Sequence, residues 1–418
     1  MRRVLLSLGL IVVLLVAGFS AAAAETITFW QAGGNEQMIT CMRSLISRFE
    51  QENPGITVRY QVIPWAEDPH LQYQTALIGG SMADVFSMGD AKQLHFAEAG
   101  YLEPLDQYIS PALIADFSTA TIERTSYNGQ LIALPWYVSV RPLFYRKDLL
   151  AEENIPEPTT SWTWEEFVAY AKRLTKDTDG DGQIDQYGFG TSGQYVSQYQ
   201  PFLRQNDADF VDEENWVATV DDPAAIEALQ FYIDLIRQHK VVPPGISTID
   251  LQDIQRMFAN GRIAMFMDCE DTANAFAKEP ELKDKFGVGL LPHNKSHAAF
   301  SGMDVISVWK GSQKKEAACK FAEFLMSEAA MAEYCNVSGF TPARAALMED
   351  EAFVTPLRRA FMEQLQLGGF FYYASPQSSA FSRHIRVQVQ RAIEGDQTVE
   401  EAASEIQRLL TRELERRR

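Results

Sequence analysis

From Glu25 to Trp30 the chain alternates polar and apolar residues, the two-residue period of a half-buried strand, and Gly33-Gly34 breaks it. Met42, Leu45, Ile46 and Phe49 then recur at helical spacing as one apolar face, until Asn53-Pro54-Gly55 stops the helix. Ile56 to Val62 alternates again as a strand. Strand, helix and strand at this spacing form a βαβ unit, whose crossover requires parallel pairing. The same grammar continues downstream. Asp84–Met88, Leu131–Pro135 leading into Tyr137–Tyr145, Arg262–Met267 and Val305–Trp309 read as strands. Asp221-Asp222-Pro223 caps a helix whose predicted buried face is Ile226, Leu229, Ile233 and Ile236. Lys315–Tyr334 and Thr398–Arg412 read as amphipathic helices. Strands alternating with helices along the whole chain put it in the α/β class. No linker, repeat or low-complexity stretch divides it, which predicts two lobes between which the chain crosses more than once.

The 418 residues suffice for two lobes, each with its own core. The beginning of the chain adds a compartment. Arg2 and Arg3 precede an apolar run from Val4 to Phe19, and Ala22 and Ala24 supply the small residues of a cleavage site. The run is shorter than the roughly 20 residues a spanning helix needs. The expectation is a signal peptide over 1–24 and a mature chain starting near Glu25, free in the periplasm or its equivalent; no cysteine at the cleavage point indicates a lipid anchor. A net charge of −19 repels phosphate backbones and argues against a nucleic-acid partner. Cys41, Cys269, Cys319 and Cys335 match no metal or redox spacing; a Cys319–Cys335 bridge and buried free thiols both stay open.

The sharpest local motif is Asp177-Thr-Asp179-Gly-Asp181-Gly182-Gln183-Ile-Asp185. Oxygen ligands at the first, third, fifth, seventh and ninth positions, with glycine at the sixth, are what a Ca²⁺ loop requires, Gln183 contributing its backbone carbonyl. Gly188 stands where such loops carry a bidentate glutamate, so the shell is short. A structural Ca²⁺ site is expected, and no organic cofactor.

Several segments resemble the extracellular solute-binding proteins of sugar-importing ABC transporters, the family that includes maltose-binding protein. They are Phe49–Val58, Ala83-Asp-Val-Phe86, Gly100–Leu105, Tyr127–Pro135, Phe144–Leu149, Trp162–Phe167, Phe258–Met265, Phe324-Leu-Met326, Gly339–Arg344, Ser379-Ala-Phe381 and Gly395–Ala402, in family order over nearly the whole mature chain. The resemblance implies a periplasmic-binding-protein-like fold. One lobe would hold 25–136 and 300–350 and the other 137–299 and 351–418, with crossovers near Leu134–Ser139, Pro292–Phe300 and Met348–Thr355. It also implies a monomer that takes a sugar into the cleft between its lobes and delivers it to membrane permease subunits, with no catalysis.

Such a cleft needs flat aromatics for stacking and fixed carboxylates or amides for directional hydrogen bonds, placed at the carboxyl ends of strands. By position in the family, the expected contacts are Trp30, Glu36, Trp65, Asp90 and Tyr137, then Asp268 and Glu270 beside Asp271, then Gly302, Met303 and Asp304, and Arg344; Trp30 and Trp65 could instead cap the core, Asp90 could cap a helix, and Arg344 could form a structural ion pair. Relatives carry a tryptophan-containing turn where this chain has Asp268–Asp271, and an aromatic where it has Met303. These departures keep a polyol, a polyamine or another cationic solute as alternatives. A secreted glycosidase is a further one, although no motif pairs two carboxylates. Gly188-Phe-Gly190-Thr-Ser-Gly193 lacks the strand–turn–helix frame of a dinucleotide site, and His293 with His297 lacks a third zinc ligand.

Overall fold

A computed structural model describes residues 25–67, 69–158, 162–348, 353 and 355–416. The leader expected over 1–24 lies outside them, as does most of the crossover expected at Met348–Thr355. Eleven strands build the two main sheets: β1 (Glu25–Ala32), β2 (Ile56–Ile63), β3 (Val85–Gly89), β4 (Leu134–Val140), β5 (Leu143–Arg146), β6 (Tyr187–Gly190), β7 (Ile263–Met267), β8 (Phe286–Gly289), β9 (Ala299–Val308), β10 (Thr341–Pro342) and β11 (Gly369–Phe371). The first sheet runs β10-β4-β9-β3-β1-β2, with β11 also on β9; the second runs β8-β5-β7-β6.

The opening βαβ unit is as its periodicity predicts. β1 pairs in parallel with β2 and β3, and the helix Glu36–Glu52 between β1 and β2 buries Met42, Leu45, Ile46 and Phe49. Asn35 starts that helix by accepting the N–H groups of Gln37 and Met38. Two apolar clusters, one containing Phe29, Phe49 and Phe321 and the other Tyr73, Phe86 and Met303, fill the first lobe. A third surrounds the second sheet and includes Phe144, Phe189, Phe266, Phe381 and Leu410.

Three predicted elements differ. Lys315–Tyr334 is two helices, Lys315–Leu325 and Glu328–Ser338, because the Ser327 hydroxyl accepts the Ala330 N–H and restarts the helix. In the helix Pro223–Arg237, Leu229 and Ile233 are buried, but Ile226 and Ile236 are only half-buried; Ala225, Ala228, Tyr232 and Leu235 complete the buried face. Ser301–Asp304, ahead of the strand predicted from Val305, is already strand. Its residues pair with Tyr137–Val140, so β9 begins at Ala299.

That pairing also moves a boundary. Residues 137–140, given to the second lobe in the sequence reading, are part of β4 in the first sheet. The first crossover is Arg141-Pro142, between β4 and β5. The chain returns through 290–298 into β9. From Phe361 to Leu414 its buried side chains join the core of the second lobe.

Candidate functional site

The parallel strands β1 and β3 end at the same edge of the first sheet, and β6 and β7 do so in the second. Loops past the carboxyl ends of such strands are where α/β folds hold ligands. On the first lobe, the half-buried Trp30 stacks with Tyr73 at a centroid distance of 6.1 Å. Trp65 is 46% exposed and lies against Gly33, where a Cβ would fall 1.9 Å from the indole nitrogen; Gly33 also holds a φ of +65°. His70 packs between Trp65 and Tyr73. Burial, reinforced by Lys92, pushes its imidazole pKa down to about 3, so it stays neutral.

Tyr137 has its ring in the core, stacked on Phe340 at 4.2 Å, and its hydroxyl donates to Asp304 Oδ2 at 2.6 Å. Asp304 keeps some exposed surface but sits deep. Burial pushes its carboxyl up to about 6, with the Tyr137 hydrogen bond opposing and Asp90 adding to the rise. Asp90, buried, is the first residue of the helix Asp90–Glu98, whose cap is Gly89; its carboxylate pairs with Arg124. Arg124 also donates to the Tyr372 carbonyl of the second lobe and lies 4.8 Å over the Phe371 ring.

On the second lobe the fully buried β7 delivers Asp268, Cys269, Glu270 and Asp271 to the junction. Asp268 is committed to its surroundings: Oδ1 accepts Cys269 N–H at 2.8 Å, and Oδ2 accepts Gln255 Nε2 at 2.7 Å and Thr272 Oγ1 at 3.1 Å. Glu270, 2% exposed, accepts the Val140 N–H of the first lobe at 3.3 Å, and burial holds its carboxyl well above the usual range. Asp271 accepts Cys269 Sγ at 2.9 Å, and its carboxyl is raised by burial and then by Asp268. These acids are therefore not a solvated turn.

Between the lobes stands Arg141, in the first crossover. Its N–H donates to the Phe300 carbonyl at 2.9 Å and its guanidinium lies 5.5 Å over the Phe300 ring. Burial opposes its charge, but Cys269, Asp268, Asp271 and Glu270 outweigh that and raise its pKa. Further bonds tie the lobes beside the junction: Ser378 Oγ to the Ala91 carbonyl, Asn274 Nδ2 to the Val337 carbonyl, and Lys278 Nζ to Gln37 Oε1.

The structure thus gathers Tyr137, Asp268, Glu270 and Asp304 around one junction, with Asp90 coupled to them and Trp30 and Trp65 on the flank of the first lobe. Gly302 is half-buried beside Ser139, and Met303 points into the core, 2% exposed. Two expected residues stand apart. Glu36 is exposed in the first turn of its helix. Arg344 is a brace of the first lobe: Nε bonds Asp116 Oδ2 at 2.5 Å, Nη1 the Met326 carbonyl at 3.0 Å and Nη2 Glu328 Oε1 at 3.1 Å. Sequence reasoning missed Arg141, Tyr73, His70 and Arg124. For Arg141 a signal existed: it is a lone charge inside the otherwise apolar run Leu131–Tyr145.

In the acidic loop, ligand oxygens of Asp177, Asp179 and Asp185 lie within 4.8 Å of one another. Asp177 accepts the N–H groups of Gly180 and Gly182 at 2.6 and 2.7 Å, which hold its carboxyl below its ordinary range. Asp181 is turned aside, its Oδ1 accepting Gln183 N–H at 2.8 Å, and it does not join the cluster. Three hard oxygen donors fit Ca²⁺ with an incomplete shell. Gly188 has no part in it: a Cβ there would meet the Ala171 carbonyl oxygen at 2.1 Å, so close packing requires this glycine. Gly190 likewise packs against Ile263 and Ile254, which accounts for the G-x-G-x-x-G spacing without a dinucleotide. His293 and His297 stack at 4.7 Å, and the acidic loop holds the one cluster with metal-ligand spacing among the described residues. All four cysteines are free thiols.

Residues 26–332 match the family model described as bacterial extracellular solute-binding protein. A putative binding protein of Brucella abortus is 28% identical over 70% of this chain and 70% of its own length. The mannitol-binding protein of Pseudomonas aeruginosa is 24% identical over 83% of this chain and 80% of its own. A maltose-bound solved structure from T. maritima superimposes with a TM-score of 0.83 at 27% identity, covering 94% of this chain and 100% of that one. No helix among the described residues is long and apolar enough to cross a membrane. With two α/β lobes, a polar junction between them and a family match over most of its length, the chain belongs to the bacterial extracellular solute-binding proteins.

Proposed function

We propose that this chain is the extracytoplasmic binding component of an ABC importer, capturing a sugar or polyol between its lobes and presenting it to membrane permease subunits. The observation that carries this reading is the set of charged side chains from both lobes, and from the crossover between them, that meets at one junction. Asp304 comes from the first lobe, Asp271 from the second, and Arg141 joins them. A solute touching both lobes binds the closed form better than the open one, so the contacts that give affinity also drive the closure a permease reads. Relatives that bind mannitol and maltose support this ligand class.

On this reading the protein is a monomer without catalytic activity. The segment 1–24 directs export and is removed, leaving the chain free outside the cytoplasm. Asp177, Asp179 and Asp185, with the Gln183 carbonyl, hold a Ca²⁺ that neutralises three neighbouring carboxylates and braces the loop before β6.

The test is a thermal-shift screen of the mature chain with neutral sugars and polyols, followed by calorimetry and recovery of the ligand. A true ligand at about 100 times its Kd stabilises the native state by roughly 2.7 kcal/mol. It should be recovered chemically unchanged. Failure of every neutral polyhydroxy compound to raise the melting temperature would sink the reading, and hydrolysis of a bound glycoside would replace it with an enzymatic one.

A further inference from the structure

We infer that Arg141, with Asp304 on one lobe and Asp271 on the other, is the ligand clamp, and that its occupant is a neutral molecule with neighbouring hydroxyls rather than a sugar acid, a sugar phosphate or an amine. The inference rests on the proposed solute-binding role and deepens it.

Most charged groups at the junction are already spent. Asp268 accepts three hydrogen bonds from its own lobe, Asp90 pairs with Arg124, and Glu270, 2% exposed, is closed into the seam against the Val140 N–H. Three groups keep capacity. Arg141 Nε is buried with no acceptor among the described residues, and no ion pair engages its guanidinium there. Asp304 uses Oδ2 for Tyr137, leaving Oδ1 open among the described residues. Asp271 accepts from Cys269 Sγ, and a carboxylate has about four acceptor positions. An unmet buried N–H is costly, and it stands here on a residue fixed in place by its N–H bond to Phe300 and by the Phe300 ring.

The charges select the occupant. An anion drawn to Arg141 would meet Asp271 and Asp304, and an amine drawn to those carboxylates would meet the guanidinium. A hydroxyl both donates and accepts, so adjacent hydroxyls satisfy Asp304 or Asp271 with their protons and Arg141 with their lone pairs. Because Asp304 lies on β9 and Asp271 on the helix Glu270–Phe276, a molecule bonded to both also draws the lobes together.

The experiment is calorimetry on the wild-type chain, R141Q and R141K with mannitol, maltose, gluconate, glucose 6-phosphate and spermidine as probes, plus melting curves of the ligand-free variants. The wild type should bind a neutral probe in preference to the charged ones. R141Q should lose about 10- to 100-fold in affinity for it. R141K, which lacks the planar fork, should fall between. Ligand-free R141Q should keep a single cooperative melting transition, which separates a binding defect from misfolding. A neutral probe that binds R141Q within about threefold of wild type overturns the clamp. Tighter binding of gluconate, the phosphate or spermidine overturns the ligand class while leaving a solute-binding protein. Binding of none of the five by wild type sinks the clamp, and the broader screen then decides the proposed function by itself.

Discussion

Replacing Asp304 by asparagine should stabilise the ligand-free protein while weakening its grip on ligand. Asp304 accepts the Tyr137 hydroxyl and is close enough to Asp90, Arg141 and Asp271 to feel their charges. Burial raises its carboxyl from 3.8 to about 6. A rise of roughly two units at about 1.36 kcal/mol each sets a ceiling of about 3 kcal/mol on the penalty for carrying the charge in the folded state. The folded protein binds this proton more tightly than the unfolded chain, so wild-type stability falls as pH rises through that window. The penalty is absent below 3.8 and complete above about 6. Asparagine keeps an oxygen for Tyr137 and removes the charge. The stability gap between D304N and wild type should therefore be near zero at about pH 4, open between the two pKa values and stay flat at neutral pH. Urea denaturation across this range measures it, with an unchanged slope showing that the unfolding transition is the same. The reasoning fails if D304N is less stable than wild type at neutral pH, or if the gap does not change with pH.

R344A should lower the stability of the first lobe by about 2–3 kcal/mol, because it strands Asp116 and the Met326 carbonyl, and should leave ligand affinity unchanged. Denaturation and calorimetry on the same sample check both halves, and an affinity loss without a stability loss would return Arg344 to the binding site. Ca²⁺ should raise the melting temperature of wild type and EDTA reverse it, while D177N responds to neither; an identical response of wild type and D177N would dismiss the acidic loop as a metal site. G188A should cost about 1–3 kcal/mol or more through the clash with the Ala171 backbone, read by denaturation, and a neutral effect would contradict the packing assigned to this glycine.

The local grammar of this chain is legible because local and tertiary demands agree. The face Met42, Leu45, Ile46 and Phe49 is the buried face, and Asn53-Pro54-Gly55 ends the helix where it must. Agreement fails where tertiary pairing decides. Ser301-Gly-Met-Asp304 has turn-like composition, yet β4 supplies a ladder and extends β9 through it. Ile226 and Ile236 have the right spacing for burial, but the packed face is turned toward Ala225, Ala228, Tyr232 and Leu235.

The site shows the same divide more sharply. Family position points to Asp304, Asp268 and Glu270, but only the fold separates acids already engaged from acids left open. That distinction is made by Gln255 and Val140, 13 and 130 residues away, together with Thr272 on the next helical turn. The choice between contact and structural ion pair at Arg344 is settled for the same reason: its partners Asp116 and Glu328 come together only in three dimensions. Arg141 is the converse. Its charge is held by the acids around it while its buried Nε stays unmet, and it breaks the apolar pattern of Leu131–Tyr145, so no local rule calls for it. An N–H left unmet in the empty state is one a ligand rewards on binding. In a chain whose apolar pattern is otherwise consistent, the one charge that breaks it, placed where two sheets meet, is the feature best suited to coupling occupancy to closure.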